Sequence, residues 1–156
     1  MNISDYLDKD CIILGLKQKS KKSIVSTILD HLIAKRKISK DSKKDILKAI
    51  VRREEMGSTA IGGHIAFPHS RTDLINKMVI CICVSKEGVN FDSLDQEPVN
   101  VIALLLSKQK EAGLHLKMLA FLARMLRDKY LVQRLKNVKN EEEVLALLYK
   151  QQEAIR

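Results

Sequence analysis

The sequence predicts a single-domain α/β sandwich, a mostly buried sheet with helices on its faces, and three observations carry that expectation. Two runs, Lys77–Ser85 and Val99–Ser107, are apolar on both alternating faces, as strands in the middle of a covered sheet are. Stripes of apolar residues at helical spacing are interleaved with them. The 156 residues are 46% hydrophobic, with 4% aromatics and no Trp, so the core available is one of Leu, Ile and Val.

In chain order, Cys11–Leu16 is a short apolar run and predicts the first strand. Ser20 can cap a helix whose inward stripe is Ile24, Val25, Ile28, Leu29, Leu32 and Ile33, ending near Lys35. Ser39 or Ser42 caps a second helix, with Ile46, Leu47, Ile50 and Val51 inward, closing near Glu54-Glu55 with Gly57 as its stop. Ile65-Ala66-Phe67 is strand-like. Pro68 has no ladder N–H to donate, so the strand is expected to end there, with His69 just past its end.

Lys86-Glu87-Gly88 then reads as a turn between the two buried strands, Phe91–Pro98 as a polar loop, and Lys108–Gly113 as another. Helical patterns run over Leu114–Leu126 and Leu131–Leu135. Asn140 caps the last helix, where Glu141, Glu142 and Glu143 favour the positive end of the helix dipole and Glu143 is placed for a capping box. No repeat or linker divides the chain, so one domain over 1–156 is expected, with its core at roughly 3–148.

Composition narrows the function classes. The longest charge-free apolar run, Val99–Leu106, is far short of the roughly 20 residues a membrane span needs. Met1–Asp5 lacks the basic then apolar pattern of a signal peptide. Cys11, Cys81 and Cys83 cannot all pair within one chain and are expected to be reduced and buried, as in a cytoplasmic protein. The net charge of +9 lies wholly within Lys9–Glu54, which holds 14 Lys/Arg against five Asp/Glu. That segment has no aromatic residue and few arginines among its lysines, unlike a nucleic-acid surface, so a solvated helix face fits better and no nucleic acid is expected.

The chemistry gathers around Met56–Arg71, where Gly57, Gly62 and Gly63 free the backbone before His69. His115, near a helix start after a buried strand, is the second candidate, at a place that suits an anion. His64 opens the strand-like run, and His31 falls beside a core stripe. His64 and His69 have odd separation and would face opposite sides of a strand, Cys81 and Cys83 sit in a core-like run, and neither HExxH nor CxxC occurs. No metal or cofactor is therefore expected. Histidine as nucleophile fits better: a neutral imidazole keeps a free ring nitrogen near pH 7 and can take a phosphoryl group. That group carries nearly two negative charges and needs a guanidinium or a set of N–H donors. Arg53 is the natural candidate, with Arg52 and Arg71 as rivals.

These residues resemble a family signature. Arg53-Glu54-x-x-Gly57-Ser58-Thr59-x-Ile61-Gly62 followed by Ile65-Ala66-Phe67-Pro68-His69 resembles the active-site pattern of enzyme IIA proteins of the fructose/mannitol/nitrogen-regulatory class. These belong to the phosphoenolpyruvate-dependent phosphotransferase system. The likeness continues through Phe91-Asp92-x-Leu94, Pro98-Val99, His115-Leu116 and Leu122-Ala123-Arg124. It implies a mixed central sheet and a phosphocarrier. His69 would be phosphorylated on Nε2 by the carrier HPr or its nitrogen-branch equivalent, with Arg53 and His115 attending the phosphoryl group. Gly57, Ser58, Thr59, Gly62, Ser70 and Arg71 would lie where the phosphoryl group or partner docks. The downstream partner would be a IIB domain or a regulated target protein.

The chain departs from the family pattern at His64 and Ser70, where Gly is usual, and at Phe67, where a β-branched aliphatic is usual. His64 could add a donor or simply be tolerated. As a lone IIA it resembles the nitrogen-regulatory branch more than a transporter subunit. A IIA subunit of a separate sugar permease, or a binding module that keeps the fold without transferring phosphate, are the alternatives.

Overall fold

The computed structural model describes residues 1–156 and shows a mixed sheet between two layers of helices. Its strands are β1 (Ile12–Leu14), β2 (Ile65–Ala66), β3 (His69–Arg71), β4 (Val79–Val89) and β5 (Val99–Ser107). The helices are α1 (Lys21–Ala34), α2 (Lys43–Glu55), α3 (Ala112–Leu126), α4 (Lys129–Lys136) and α5 (Glu141–Ile155). β4 and β5 pair antiparallel at the centre, β1 runs parallel to β4, and β2 and β3 share the far edge, both parallel to β5.

Period-2 alternation along the central strands builds two cores. Ile80, Ile82 and Val84 of β4 and Val101, Ala103 and Leu105 of β5 pack beneath α3, α4 and α5. Cys81, Cys83, Ile102, Leu104 and Leu106 face the other way, against α1 and α2. Both cores are mainly buried aliphatics, each large side chain contributing roughly 1.5–3 kcal/mol by its removal from water. No helix is long and apolar enough to cross a membrane.

The expected fold class is what forms, but four local expectations fail for physical reasons. Pro68 does not end the edge strand; it divides it. Leu105 N–H donates to the Pro68 carbonyl (3.0 Å), so the ladder resumes at once and His69 opens β3 rather than lying past a strand end. Lys86-Glu87-Gly88 is not a turn but an irregular stretch inside β4, whose register with β5 shifts between Val84 and Val89. Gly88 takes φ +87° there, and a Cβ at that position would come within 2.7 Å of Pro98 Cβ, which only glycine avoids. Ser42 does not cap α2 by side chain; its hydroxyl donates to the Ser39 carbonyl in a preceding 3₁₀ turn. Glu143 accepts from Lys139 N–H rather than from the cap residue Asn140, so the reciprocal capping box expected there is incomplete. By contrast Ser20 and Ser23 form a full capping box on α1.

Candidate functional site

The edge strand sets the site. His69 is in register with Leu105 and Arg71 with Ser107. Residues opposite each other in a ladder share a face, and Leu105 belongs to the core under α3. His69, Arg71 and Ser107 therefore lie on the α3 side of the sheet. α3 begins at Ala112 after a short loop and carries His115 in its first turn, directly over this row. The His69 and His115 rings meet with centroids 5.3 Å apart and planes tilted by 57°.

Each imidazole is held by a partner that determines which nitrogen bears hydrogen. His69 Nδ1 lies 2.8 Å from the Phe67 carbonyl oxygen. A carbonyl only accepts, so Nδ1 carries the proton and Nε2 keeps its lone pair. His115 is buried, and its Nδ1 lies 2.6 Å from Ser107 Oγ. Burial first, then the positive charge of His69 and of Arg71, push the His115 pKa down to about 4, so the ring is neutral near pH 7. A close pair of imidazoles, one of them with a free nucleophilic nitrogen, is suited to accepting an electrophilic group without a metal. No group of three or more His, Cys, Asp or Glu side chains converges anywhere in the structure.

The arginines are distributed differently from the sequence expectation. Arg71 shares the face of His69, and its Nη1 donates to the Gln109 carbonyl (2.9 Å) in the loop before α3. Arg53 arrives on α2, in the opposite layer, and its Nη1 donates to the Gly57 carbonyl (3.0 Å). It is tied to the glycine loop, not to either histidine. Arg52 lines a surface cleft with Lys22, Lys44 and Lys48, away from the histidines.

The glycine loop is held from within. Ser58 Oγ donates to the Phe91 carbonyl and accepts from Ala60 N–H, both at 3.1 Å. Thr59 is buried and bonded to Glu54 through both its N–H and its hydroxyl. Neither hydroxyl faces the imidazole pair. Ser70 is in register with Leu106, which faces the α1/α2 core, and its hydroxyl donates to the Arg71 carbonyl (3.3 Å). Gly62 has φ +138°, and a Cβ there would press on Asp95 Oδ2 at 3.3 Å. His64 does not open a strand: it takes φ +66°, and its Nδ1–H donates to the Pro98 carbonyl at 2.8 Å. His31 Nε2–H donates to the Asp10 carbonyl (2.7 Å), a packing role. The cysteines are buried thiols: burial raises Cys11 to about 11, and the Cys83 hydrogen bond, then burial, hold Cys81 well above the usual range.

Along Ile65 and Phe67 the surface opens into a trough of about 600 Å³ between the glycine loop and α3, with neither His69 nor His115 in its lining. Ile61, Gly62, Gly63 and Phe67 form one wall, and Ala123 and Arg124 are on the other. Gly62, Gly63 and Ala123 add little side-chain bulk to these walls. Sequence reasoning missed Ser107 and Glu54. Ser107 stands at the end of a strand and Glu54 at the end of a helix, both ordinary places for polar residues, and the signal that distinguishes them is burial.

Comparison with known proteins adds a family to this geometry. The family model described as "Phosphoenolpyruvate-dependent sugar phosphotransferase system, EIIA 2" matches residues 5–151. The chain is 29% identical over 149 residues to a nitrogen regulatory protein of Bradyrhizobium diazoefficiens, covering 95% of each. The crystal structure of nitrogen regulatory protein IIA-Ntr from Neisseria meningitidis superposes with a TM-score of 0.83 at 31% identity, over 94% of this chain and 98% of that one. The fold is also that of enzyme IIA of the Escherichia coli mannitol system, solved in complex with phosphorylated enzyme IIB. That match has a TM-score of 0.77 at 23% identity, over 92% of this chain and 97% of the other.

Proposed function

The chain belongs to the EIIA 2 family of the phosphoenolpyruvate-dependent sugar phosphotransferase system, and from that premise we propose that His69 is its phosphoryl acceptor. The role of the family is that of phosphocarrier and regulator within this system. The observation that carries the reading to one atom is the bond from His69 Nδ1–H to the Phe67 carbonyl, which leaves Nε2 free.

The lone pair of Nε2 forms the new N–P bond as the donor's P–N bond breaks, and the departing electron pair stays on the donor imidazole. The proton remains on Nδ1, donated to the Phe67 carbonyl, and the ring's gain of positive character offsets part of the phosphoryl charge. His115 supplies a neutral N–H donor 5.3 Å away, centroid to centroid. Arg53 and Arg71 supply guanidinium charge, Arg53 after release from the Gly57 carbonyl. Both ends of the exchange are imidazoles of similar potential, so transfer is reversible and the protein can both carry phosphate and report on its supply.

The donor is an HPr-like phosphocarrier, and the next partner is a IIB domain or a regulated protein. The trough lined by exposed Ile61 and by Phe67, two residues before His69 in the chain, is where we place that docking. Of the loop residues, Gly62 lines it; Gly57, Ser58, Thr59, Ser70 and Arg71 do not. Incubation with phosphoenolpyruvate, enzyme I and HPr tests the reading. One acid-labile, base-stable phosphate per chain is expected, and none in His69→Ala; labelling that survives in His69→Ala removes it.

A further inference from the structure

Glu54 is the one buried carboxylate in the molecule. Its partners lead away from the helix end on which it sits. Oε1 accepts from Lys21 Nζ and from Thr59 N–H, each at 3.0 Å, and Oε2 accepts from the Thr59 hydroxyl. Lys21 comes from the start of α1, 33 residues earlier, with its Nζ 5.1 Å from the Phe91 ring centroid. A carboxylate can only accept, so the direction of the Thr59 hydroxyl bond is determined: the proton points at Glu54 and the lone pairs point away. Onto that oxygen comes Phe67 N–H, at 3.3 Å. Phe67 in turn offers the carbonyl that holds His69 Nδ1–H.

We propose that Glu54 is a positioning residue for phosphoryl transfer: through the Thr59 hydroxyl it anchors Phe67, whose carbonyl then keeps the proton on His69 Nδ1 and the lone pair on Nε2. The inference rests on His69 being the acceptor. The chain is continuous and buried at its source. A hydroxyl that donates to an anion is polarised and becomes a better acceptor, so the Glu54 charge strengthens the bond to Phe67 N–H. Phe67 would otherwise be held poorly, because Pro68 follows it with no N–H to share and β2 ends at Ala66. Its carbonyl is the only partner of His69 Nδ1, and a shift there lets the proton move to Nε2, where it blocks the nucleophile. Lys21 completes the arrangement by neutralising Glu54 in the protein interior, where an unpaired charge would not be tolerated.

The distinction from a purely structural role lies in the tautomer, which ¹⁵N-histidine labelling reads directly in the unphosphorylated protein. Wild type is expected to show His69 as the Nδ1–H form. Thr59→Val is isosteric but can neither donate nor accept. It should move about half or more of His69 to the Nε2–H form and slow transfer at saturating phospho-HPr roughly 10- to 100-fold, with the half-saturating donor concentration unchanged. Thr59→Ser should restore both readouts. Glu54→Gln, whose amide donates to the Thr59 oxygen instead of accepting from it, should shift both in the same direction.

A wild-type His69 in the Nε2–H form overturns the proposal, as does a folded Thr59→Val protein with wild-type tautomer and rate. If Thr59→Val does not fold, Glu54→Gln is read by the same two measurements, and a wild-type tautomer and rate in that variant overturn the proposal equally. Failure of the acceptor assignment is seen separately, as a wild type that takes no phosphate on His69 whatever its tautomer.

Discussion

Ser107 Oγ lies 2.6 Å from His115 Nδ1, joining the last residue of β5 to the first turn of α3. Ser107 is fully buried, and its hydroxyl has this one side-chain partner. A buried hydroxyl proton goes to the acceptor it has, so Ser107 donates to Nδ1 and His115 carries its proton on Nε2. The two histidines are thus held in opposite tautomers: His69 with a free Nε2, His115 with an Nε2–H. On the proposed reading, His69 accepts the phosphoryl group and His115 offers a hydrogen bond to it.

Ser107→Ala should therefore impair transfer without touching the acceptor. We expect a roughly 10-fold slower first-order rate, a mixed His115 tautomer in ¹⁵N spectra, and a loss of about 1–2 kcal/mol of stability for a buried nitrogen left without its partner. A wild-type rate with an unchanged His115 spectrum would show that Ser107 does not orient the ring.

Stability should fall as the pH drops through the His115 window. The folded-state pKa of about 4 lies below the ordinary 6.5, so the unfolded chain takes up this proton first. The contribution is fully present above about pH 6.5 and is lost progressively toward pH 4, by up to about 3 kcal/mol. Urea unfolding midpoints between those limits, compared with His115→Gln, measure it. The slope should flatten in the variant, and equal slopes would contradict a neutral buried ring. Phosphorylation of His69 places a dianion beside His115 and should raise its pKa, visible in the same histidine titration.

The two arginines can be separated kinetically. Arg71 shares the His69 face, and Arg53 is bonded to the Gly57 carbonyl from the other layer. If each contributes charge to the transition state as a typical oxyanion donor does, Arg53→Ala and Arg71→Ala should each slow transfer by about 10- to 1000-fold. A normal rate in Arg53→Ala with a slow Arg71→Ala would assign the role to Arg71 alone, and the converse would leave Arg71 as a tether for the Gln109 loop.

The trough makes a prediction about docking rather than chemistry. Ala123→Trp should fill it from the α3 side and raise the half-saturating concentration of phospho-HPr several-fold, while leaving the rate at saturation and the His69 tautomer as in wild type. Unchanged saturation behaviour would move the docking surface elsewhere.

Elements that announce themselves locally were legible in the sequence. β5 is an uninterrupted apolar run, and its observed bounds, Val99–Ser107, coincide with the expected ones. α1 starts where Ser20 says it should, because cap and stripe are both local signals. The split edge strand was not legible: Pro68 ends a ladder by default, and only pairing of its carbonyl with Leu105 N–H, supplied from 37 residues later, lets the strand continue. The β4 irregularity depends likewise on Pro98 and Asn100 crowding Gly88 from the next strand.

At the site, His69 and His115 stood out by residue type, but what holds them did not. Ser107 and Glu54 look like ordinary terminal polar residues until β5 meets α3 and α1 delivers Lys21. The placement of Arg53 and Arg71 on opposite layers required the register of β3 on β5.

The most direct test is to identify the phosphorylated ring nitrogen. Protein labelled with ¹⁵N at histidine, phosphorylated through enzyme I and HPr and examined by ³¹P–¹⁵N correlation, should show a single P–N bond to Nε2 of His69, with Nδ1 still protonated. A bond to Nδ1 of His69, or to either nitrogen of His115, would contradict the account.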